Sequence, residues 1–456
     1  MSAPLNRLTV SRLPAEQRPL TDPADLRPRI VHFGLGAFHR AHQAVYTERA
    51  AALSGEDWGI TAVAPRSTET VRALRAQDGL YSLTERRPEG NRTRVVGSVV
   101  DALAMGPDAK AVDALLADPE VTVVTLTVTE KGYQRSPLTG GLDTAAVAAD
   151  LTADPAGPLT TVVGRLAAGL AARMRAGAPP ITVVSCDNMA DNGAVLAGVV
   201  HDFVRASAWP DRDRILERMA EAVAFPATVV DRIVPAAGEE DRAAALAALG
   251  ARDALPVTAE PYRQWVLQDS FAAARPPWER DGALFVRDVL PYQLTKLRLL
   301  NGSHSALAYL GMAAGLTTIA ETLAADWGER LVRGWCAELA PTLPAGGPDP
   351  LSYADDLVVR FRNPAMRHLL RQIGTDGPLK IPERWLPALR ELRARGATHT
   401  PFLELALAAW VLSTGPADTV QSLLRGLGAA DLADDDALTT AVADRLPALR
   451  AGRVEI

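Results

Sequence analysis

The sequence has few cysteines and no dense run of one charge. Only Cys186 and Cys336 occur in 456 residues, so neither a disulfide framework nor a cysteine-rich zinc site can be built, and a cytoplasmic protein without a bound metal is expected. Lys and Arg number 48 against 54 Asp and Glu, a net charge of −6. Without a long basic block, a nucleic-acid partner is not expected, and any partner should be a small molecule.

Long apolar runs are also missing. No stretch approaches the roughly 20 apolar residues needed to span a bilayer, and residues 1–13 lack the apolar core of a signal peptide. We therefore expect neither membrane insertion nor export. Hydrophobic residues nevertheless make up 48% of the chain, and at roughly 150 residues per domain its length predicts two or three domains.

The first half of the chain alternates between β-type and helical patterns. Strands are predicted at 29–33, 58–64, 121–129 and 181–186, and helices at 38–51, 68–76 and 160–176. This alternation predicts an α/β domain with a doubly wound, largely parallel sheet. After about Leu290 helical spacing dominates, at 297–314, 321–339, 386–395 and 402–412. We therefore expect an α/β domain over residues 1–289 and a mainly α-helical domain over residues 290–456.

A glycine turn follows the first predicted strand. Gly34 permits a tight turn, Gly36 lets the backbone approach a pyrophosphate, and the helix that begins near Phe38 supplies oriented N–H groups. The motif is incomplete, since His39 stands where a third glycine is usual. Taken alone it is equally typical of an ordinary turn between strand and helix, but its place at the first strand favours a dinucleotide, with these four residues as candidate contacts.

The end of the second predicted strand bears on the choice between NAD and NADP. An adenosine ribose usually meets a carboxylate there, and Glu69 is the available one. Arg66, three residues earlier, is instead suited to a 2′-phosphate, although either side chain is equally consistent with a solvent-facing helix start. NAD is the favoured cofactor.

Lys296, Asn301 and His304 form the pattern richest in chemistry. On an α-helix they fall within roughly 140° of arc, so all three can face one cleft. A lysine partly buried there has a pKa that falls toward neutrality and can take a proton from an alcohol, while an Asn amide can donate to the developing oxygen. Alternatively, Lys296 is a surface charge, Asn301 breaks the helix and His304 is a core histidine. Spacing alone favours this structural interpretation.

Two further clusters follow predicted strands. Residues 187–193, which include Asn192, come after the strand at 181–186, and Asp231 follows a short β-type run. Strand ends of this kind face the ligand crevice in open α/β sheets. Each cluster is ordinary turn chemistry when it is considered singly.

Several long segments, in the right order, resemble the polyol-specific long-chain dehydrogenases/reductases, a family that includes mannitol 2-dehydrogenases and fructuronate reductases. The similarity runs from Ile30 to about Leu412. Its segments are 34–44 (GLGAFHRAHQA), 126–133 (LTVTEKGY), 185–193 (SCDNMADNG), 225–236 (FPATVVDRIVPA), 260–266 (EPYRQWV) and 296–311 (KLRLLNGSHSALAYLG).

The resemblance implies a zinc-independent secondary-alcohol dehydrogenase. Its fold would be an N-terminal Rossmann-type dinucleotide-binding domain followed by a helical substrate-binding and catalytic domain, as a monomer or small homo-oligomer. The implied site residues are Lys296 as general acid/base, Asn192 and Asn301 as donors to the reacting oxygen, His304 as a substrate-orienting partner, and Asp231 and Lys380 as contacts for substrate hydroxyls.

Within this family, positions 131 and 372 favour a sugar acid. Lys131 stands where mannitol 2-dehydrogenases typically have Gly, Gln372 stands where they have Arg, and fructuronate reductases resemble this chain at both positions. Lys131 or Arg371 could pair with the carboxylate that a polyol lacks. The expected reaction interconverts D-mannonate and D-fructuronate with NAD(H).

Two alternatives remain open at this point. One is a polyol dehydrogenase for mannitol and fructose or for arabinitol, and the other is a non-catalytic NAD(H) sensor. Gln293 and Gln268 stand where relatives commonly have Glu, which leaves the proton exchange of Lys296 with solvent unexplained.

Overall fold

The computed structural model describes residues 3–415 and 419–456. The chain divides into two compact units, Met1–Val289 and Leu290–Ile456. Each unit has hydrophobic clusters of its own, and the two are described separately. Within the described residues, no helix combines the length and apolar character that crossing a membrane requires.

The strands of the first unit form three sheets. They are β1 (Arg27–Phe33), β2 (Trp58–Ala64), β3 (Tyr81–Glu85), β4 (Arg92–Val96), β5 (Val99–Ala104), β6 (Val123–Leu126), β7 (Ile181–Ser185), β8 (Val223–Ala224), β9 (Thr228–Asp231), β10 (Val257–Ala259), β11 (Gln264–Gln268) and β12 (Leu284–Val286). The main sheet is parallel throughout, in the order β5-β2-β1-β6-β7-β8. This confirms the predicted doubly wound sheet.

Helices cover both faces of that sheet, so a strand such as β2 is buried along its whole length. The helices of this unit are α1 (Arg7–Val10), α2 (Ala37–Ala41), α3 (Gln43–Ser54), α4 (Thr68–Ala76), α5 (Ala109–Ala117), α6 (Ala148–Thr152), α7 (Val162–Ala176), α8 (Asn192–Ala206), α9 (Arg212–Ala222) and α10 (Glu239–Leu249). The single helix predicted at 38–51 is wrong, because the backbone breaks at His42 between α2 and α3.

Two small sheets, in the orders β10-β3-β4 and β12-β11-β9, were not predicted. Their strands have only three to five residues, too few for an alternating pattern to stand out. In the small sheet that contains β9, this strand pairs antiparallel with β11, and Asp231 lies opposite Gln264.

The second unit is helical, as expected. Its helices are α11 (Leu290–Thr295), α12 (Gly302–Ala313), α13 (Ile319–Ala324), α14 (Gly328–Leu339), α15 (Pro350–Phe361), α16 (Leu370–Ile373), α17 (Gly377–Arg384), α18 (Leu386–Ala394), α19 (Pro401–Thr414), α20 (Val420–Gly426), α21 (Ala430–Ala433) and α22 (Asp436–Arg450). A π-helical segment, Lys296–Asn301, joins α11 to α12. The helix predicted at 321–339 is two helices, and that predicted at 297–314 begins as this π-helix.

Candidate functional site

A cavity of about 560 Å³ opens in the first unit where β1 ends. Four segments line it: residues 34–36 after β1, residues 64–67 at the end of β2 together with Thr70, residues 127–134 after β6 (without 130 and 133), and residues 160–162 at the start of α7. The carboxyl ends of parallel strands meet at one edge of a sheet, which is where such folds bind ligands. The predicted glycine turn therefore lies in a ligand-sized cavity.

The two glycines of the turn have different environments. Gly34 has a φ of +114°, and a Cβ built there would lie 2.1 Å from the carbonyl oxygen of Thr127, so only glycine fits. The Gly34 N–H donates to the carbonyl oxygen of Val63 at 2.9 Å. A Cβ at Gly36 would meet nothing within 4 Å, and its φ of −86° suits any residue. Gly34 holds adjacent strands close together, whereas Gly36 keeps space open.

Phe38 and His39 do not line this cavity. The His39 ring is fully buried and stacks on His32 with centroids 3.4 Å apart, and Phe38 stacks on His42. Burial lowers the pKa of His39 well below its usual value, so the ring is neutral. The His39 ring therefore packs into the core and not into this cavity. The predicted contacts of Phe38 and His39 with a cofactor stay predictions.

Arg66 and Glu69 also differ in position. Arg66 lines the cavity with Ser67, the N-cap of α4, whereas Glu69 is exposed in the first turn of α4 and is not among the lining residues. The predicted ribose contact by Glu69 stays a prediction. The side chain that the structure does bring to the cavity is the arginine.

Asp187 organises the loop that carries Lys131. Its carboxylate accepts from the backbone N–H groups of Val128 at 3.1 Å and Thr129 at 2.8 Å, and from the Tyr133 hydroxyl at 2.8 Å. Burial raises the pKa of Asp187, and these hydrogen bonds oppose the rise. Lys131 itself lines the cavity after β6. Sequence reasoning treated Asp187 as turn chemistry and missed this anchoring role.

Asn192 is buried and its amide is already engaged. Nδ2 lies 3.0 Å from the Asp187 carbonyl oxygen and 3.1 Å from both oxygens of Thr228, and Oδ1 accepts from the Thr228 N–H at 2.9 Å. A role as donor to a reacting oxygen would therefore require exchange of one of these bonds. Asp231 is buried at the end of β9, and its predicted contact with substrate hydroxyls stays a prediction.

In the second unit, Lys296 begins the π-helical segment and is 9% exposed. In a π-helix each N–H bonds to the carbonyl five residues earlier, and π-bulges are frequent at functional sites. The Gly302 N–H accordingly donates to the Leu297 carbonyl oxygen. This wider turn brings Lys296 and Asn301, five residues apart, nearer to one face than the predicted α-helix does, and His304 follows Asn301 at the i+3 position of the same face.

Side chains from distant helices satisfy the carbonyl groups around this segment. Trp335 Nε1 donates to the Arg298 carbonyl oxygen at 2.8 Å, and Trp385 Nε1 donates to that of Gly302 at 3.1 Å. Arg384 donates to the Asn301 carbonyl oxygen at 3.2 Å. Gly302 is also required sterically, because a Cβ there would lie 2.9 Å from Trp335 Cζ2.

His304 lies in a strongly cationic environment. Its ring stacks on Phe361 with centroids 5.2 Å apart and meets His368 edge-on at 5.7 Å. Burial first, and then His368, Arg384, Arg360 and Lys380, lower the pKa of His304 well below its usual value. The ring is therefore neutral, and its buried Nε2 has no hydrogen-bond partner among the described residues. A neutral imidazole can donate to or accept from a ligand hydroxyl.

Lys380 and Arg371, both predicted substrate contacts, have different environments. Lys380 Nζ donates to the carbonyl oxygens of Ile373 and Thr375, and its pKa is lowered by burial and then by Arg384. Arg371 is exposed on α16. Arg384, which sequence reasoning missed, donates to Ser305 Oγ at 2.8 Å and lies one helical turn after Lys380. Its distance in sequence from Lys296 left no local signal.

Parallel-sheet topology and a glycine turn over a ligand-sized cavity define a Rossmann-type domain, which a helical unit with a buried lysine follows in the chain. Residues 28–280 match the mannitol dehydrogenase Rossmann domain, and residues 288–443 match the mannitol dehydrogenase C-terminal domain. The chain belongs to the mannitol dehydrogenase family and is an oxidoreductase that acts on alcohol groups.

Two relatives from Escherichia coli (strain K12) illustrate the similarity. An uncharacterized oxidoreductase, YdfI, is 42% identical over 88% of this chain and 82% of its own length. D-mannonate oxidoreductase is 39% identical over 90% of this chain and 84% of its own length.

Among solved structures, mannitol 2-dehydrogenase from Pseudomonas fluorescens, in a ternary complex with NAD and D-mannitol, has a TM-score of 0.80. It is 33% identical, over 98% of this chain and 96% of that one. These comparisons establish the family and the reaction class, oxidoreduction of alcohol groups. They do not single out the substrate, because one named relative is a D-mannonate oxidoreductase and another is a mannitol 2-dehydrogenase.

Proposed function

We propose that the protein interconverts a sugar acid and its keto form, best exemplified by D-mannonate and D-fructuronate, with NAD(H) as cofactor. Residues 1–289 bind the dinucleotide, and residues 290–456 supply the catalytic lysine and bind substrate. The observation that carries the proposal is one helical stretch with Lys296, Asn301 and His304 on it, beside the cationic groups of Lys380 and Arg384.

The cofactor assignment is supported by the cavity at Gly34 and by the NAD-bound relative. Glycine at position 34 and open space at position 36 suit a diphosphate that approaches the backbone closely. NAD(H), when bound, accepts or donates the hydride at the reacting carbon. The remaining chemistry is proton transfer and orientation by side chains of this chain.

Lys296 is the general base in oxidation and the general acid in reduction. It must be neutral when it accepts the hydroxyl proton, and its burial at the start of the π-helical segment limits contact with water. The Asn301 amide donates a hydrogen bond to the reacting oxygen as its charge changes. His304, held neutral, orients a neighbouring substrate hydroxyl.

The choice of a sugar acid rests on charge. The cationic groups that act on His304 include Lys380, Arg384 and Arg360. Lys380 and Arg384 donate hydrogen bonds to carbonyl and hydroxyl oxygens. A substrate carboxylate would give them an anionic partner. Lys131 and Arg371 are the other candidates for this role, and Lys131 lines the cavity in the first unit.

A substrate panel tests the proposal. Initial rates with NAD should be higher on D-mannonate than on D-mannitol or D-arabinitol. A faster rate on either polyol would show that this polyol, and not the sugar acid, is the substrate. The Lys296→Ala variant should lose nearly all turnover, about 10³-fold or more, while it still binds NADH.

Two cation variants locate the carboxylate. Arg384→Met should raise KM for D-mannonate about tenfold or more with little change for D-mannitol. If Lys131 binds the carboxylate instead, Lys131→Gly should be the variant that raises KM for D-mannonate and leaves KM for D-mannitol nearly unchanged. If neither variant discriminates between acid and polyol, the carboxylate argument fails.

A further inference from the structure

The cavity at Gly34 is cationic. Its 17 lining residues include Arg66 and Lys131 and contain no aspartate or glutamate. Neither cation forms a salt bridge within the described part of the chain, and both side chains are exposed. A ligand in this cavity therefore meets two uncompensated positive charges and no carboxylate.

Arg66 occupies the position where an adenosine ribose is recognised. It follows β2, which pairs in parallel with β1, so that Phe33 lies opposite Val63 and Arg66 lies near the glycine turn at the same edge of the sheet. A carboxylate at this place hydrogen-bonds the 2′- and 3′-hydroxyls and repels a 2′-phosphate, whereas an arginine accommodates that phosphate. Glu69, the nearest carboxylate in sequence, does not line the cavity.

The polar groups next to Arg66 fit the same ligand. Ser67 caps α4 by accepting from the Thr70 N–H at 3.1 Å, and its hydroxyl is 2.8 Å from that of Thr70. Both residues line the cavity. One of these hydroxyls donates to the other, so the second keeps its O–H free to donate to a phosphate oxygen, in addition to the guanidinium of Arg66.

We infer that the cavity binds the 2′-phosphate of NADP(H) through Arg66, so that the protein uses NADP(H) as well as NAD(H). The inference rests on the proposed function, because it assumes that this cavity holds the dinucleotide. Lys131 follows β6, whereas Arg66 follows β2, and these strands lie on opposite sides of β1. The inference therefore rests on Arg66 and makes no use of Lys131.

Fluorescence titration of the full chain with NADH and NADPH tests this without turnover. The wild-type protein should bind NADPH at least as tightly as NADH, within about threefold. Arg66→Ala should weaken NADPH binding about tenfold or more, as expected for the loss of a charge-assisted contact, and change NADH binding less than twofold.

Arg72→Ala is the matched control. Arg72 lies on α4, the helix that begins two residues after Arg66, and it is exposed and does not line the cavity. Its removal takes away the same charge and should leave the ratio of the two dissociation constants unchanged. Arg66→Lys should keep part of the NADPH affinity, since it retains the charge but not the planar fork.

The outcomes separate this inference from the proposed function. NADH binding with NADPH bound 100-fold more weakly would overturn the inference and leave the proposed function intact. An equal loss for both cofactors in Arg66→Ala would overturn the assignment of Arg66 to the 2′-phosphate. If neither dinucleotide binds, the proposed function itself fails.

Discussion

The two units carry candidate sites that are built in different ways. The cavity at Gly34 is made by short turns that follow strands β1, β2 and β6, so that neighbours in sequence form most of each wall. The segment around Lys296 depends on Trp335, Trp385 and Arg384, which are distant in sequence and satisfy its carbonyl groups. A cavity of the first kind is encoded locally and can be recognised in the sequence, whereas the π-helical segment around Lys296 depends on contacts that form only in the folded helical unit.

The glycine turn gives the largest effect expected on cofactor binding. Gly34→Ala puts a Cβ 2.1 Å from a backbone oxygen at a φ of +114°, so the strands must separate. We expect the NADH dissociation constant to rise about 100-fold or more, with a lower melting temperature. Titration by fluorescence, at a temperature where the variant is folded, measures the change.

Gly36→Ala is the matched control for that variant. Its Cβ meets nothing within 4 Å, so NADH should bind within about threefold of the wild-type protein. If the two alanine variants bind NADH equally well, the different roles assigned to the two glycines are wrong.

The π-helical segment gives the next largest effect. Gly302→Ala forces Trp335 away from the Arg298 carbonyl oxygen, so we expect a loss of about 1–3 kcal/mol in stability and a roughly tenfold lower kcat. NADH binding, a property of the other unit, should be unchanged. Denaturant unfolding and steady-state kinetics measure both quantities.

Gly426→Ala in helix α20 is the control for Gly302→Ala. A Cβ at position 426 would enter open space, so this substitution should stabilise the folded protein slightly. A Gly302→Ala variant with wild-type kcat would show that the segment tolerates repacking and that its geometry does not set the rate.

The smallest effect concerns Glu338 in the helical unit. Burial raises the pKa of its carboxyl group from 4.5 to about 7, although the backbone N–H groups of Phe402 and Leu403 donate to it. Between pH 4.5 and 7 the folded protein binds more protons than the unfolded chain at this group, so its contribution to stability falls as the pH rises. Between pH 6 and 7.5 the free energy of unfolding of the wild-type protein should fall by about 1 kcal/mol relative to that of the Glu338→Gln variant.

Denaturant unfolding at several pH values checks this change. The Glu329→Gln variant is the control: hydrogen bonding from Arg333 lowers the pKa of Glu329, which stays ionised throughout the interval. A Glu338→Gln difference that is constant with pH would contradict the assignment.

The sequence predicted what local patterns encode. Strand β2 and helix α4 begin and end where their patterns do, and the glycine turn lies at the cavity, because apolar periodicity and Gly34 are properties of neighbouring residues. The break at His42 and the π-helix at Lys296 were not predictable in this way. Both depend on contacts with residues far away in the chain, such as the hydrogen bond from His42 to the Gln264 carbonyl oxygen.

The site residues divide along the same line. Lys296 and Asn301 were identified from spacing and family resemblance, and burial of Lys296 agrees with the expectation. The motif does not show that the His39 ring packs against His32, which only the folded chain reveals. Arg384 and Asp187 were missed because their importance comes from which backbone groups they contact in the folded chain.

The central claim is that the amine of Lys296 transfers the proton, and amine rescue of Lys296→Ala tests it most directly. We expect the variant to be nearly inactive, to bind NADH normally, and to regain turnover when methylamine is added, in proportion to the unprotonated amine. A Lys296→Ala protein that turns over at the wild-type rate without added amine would contradict the account.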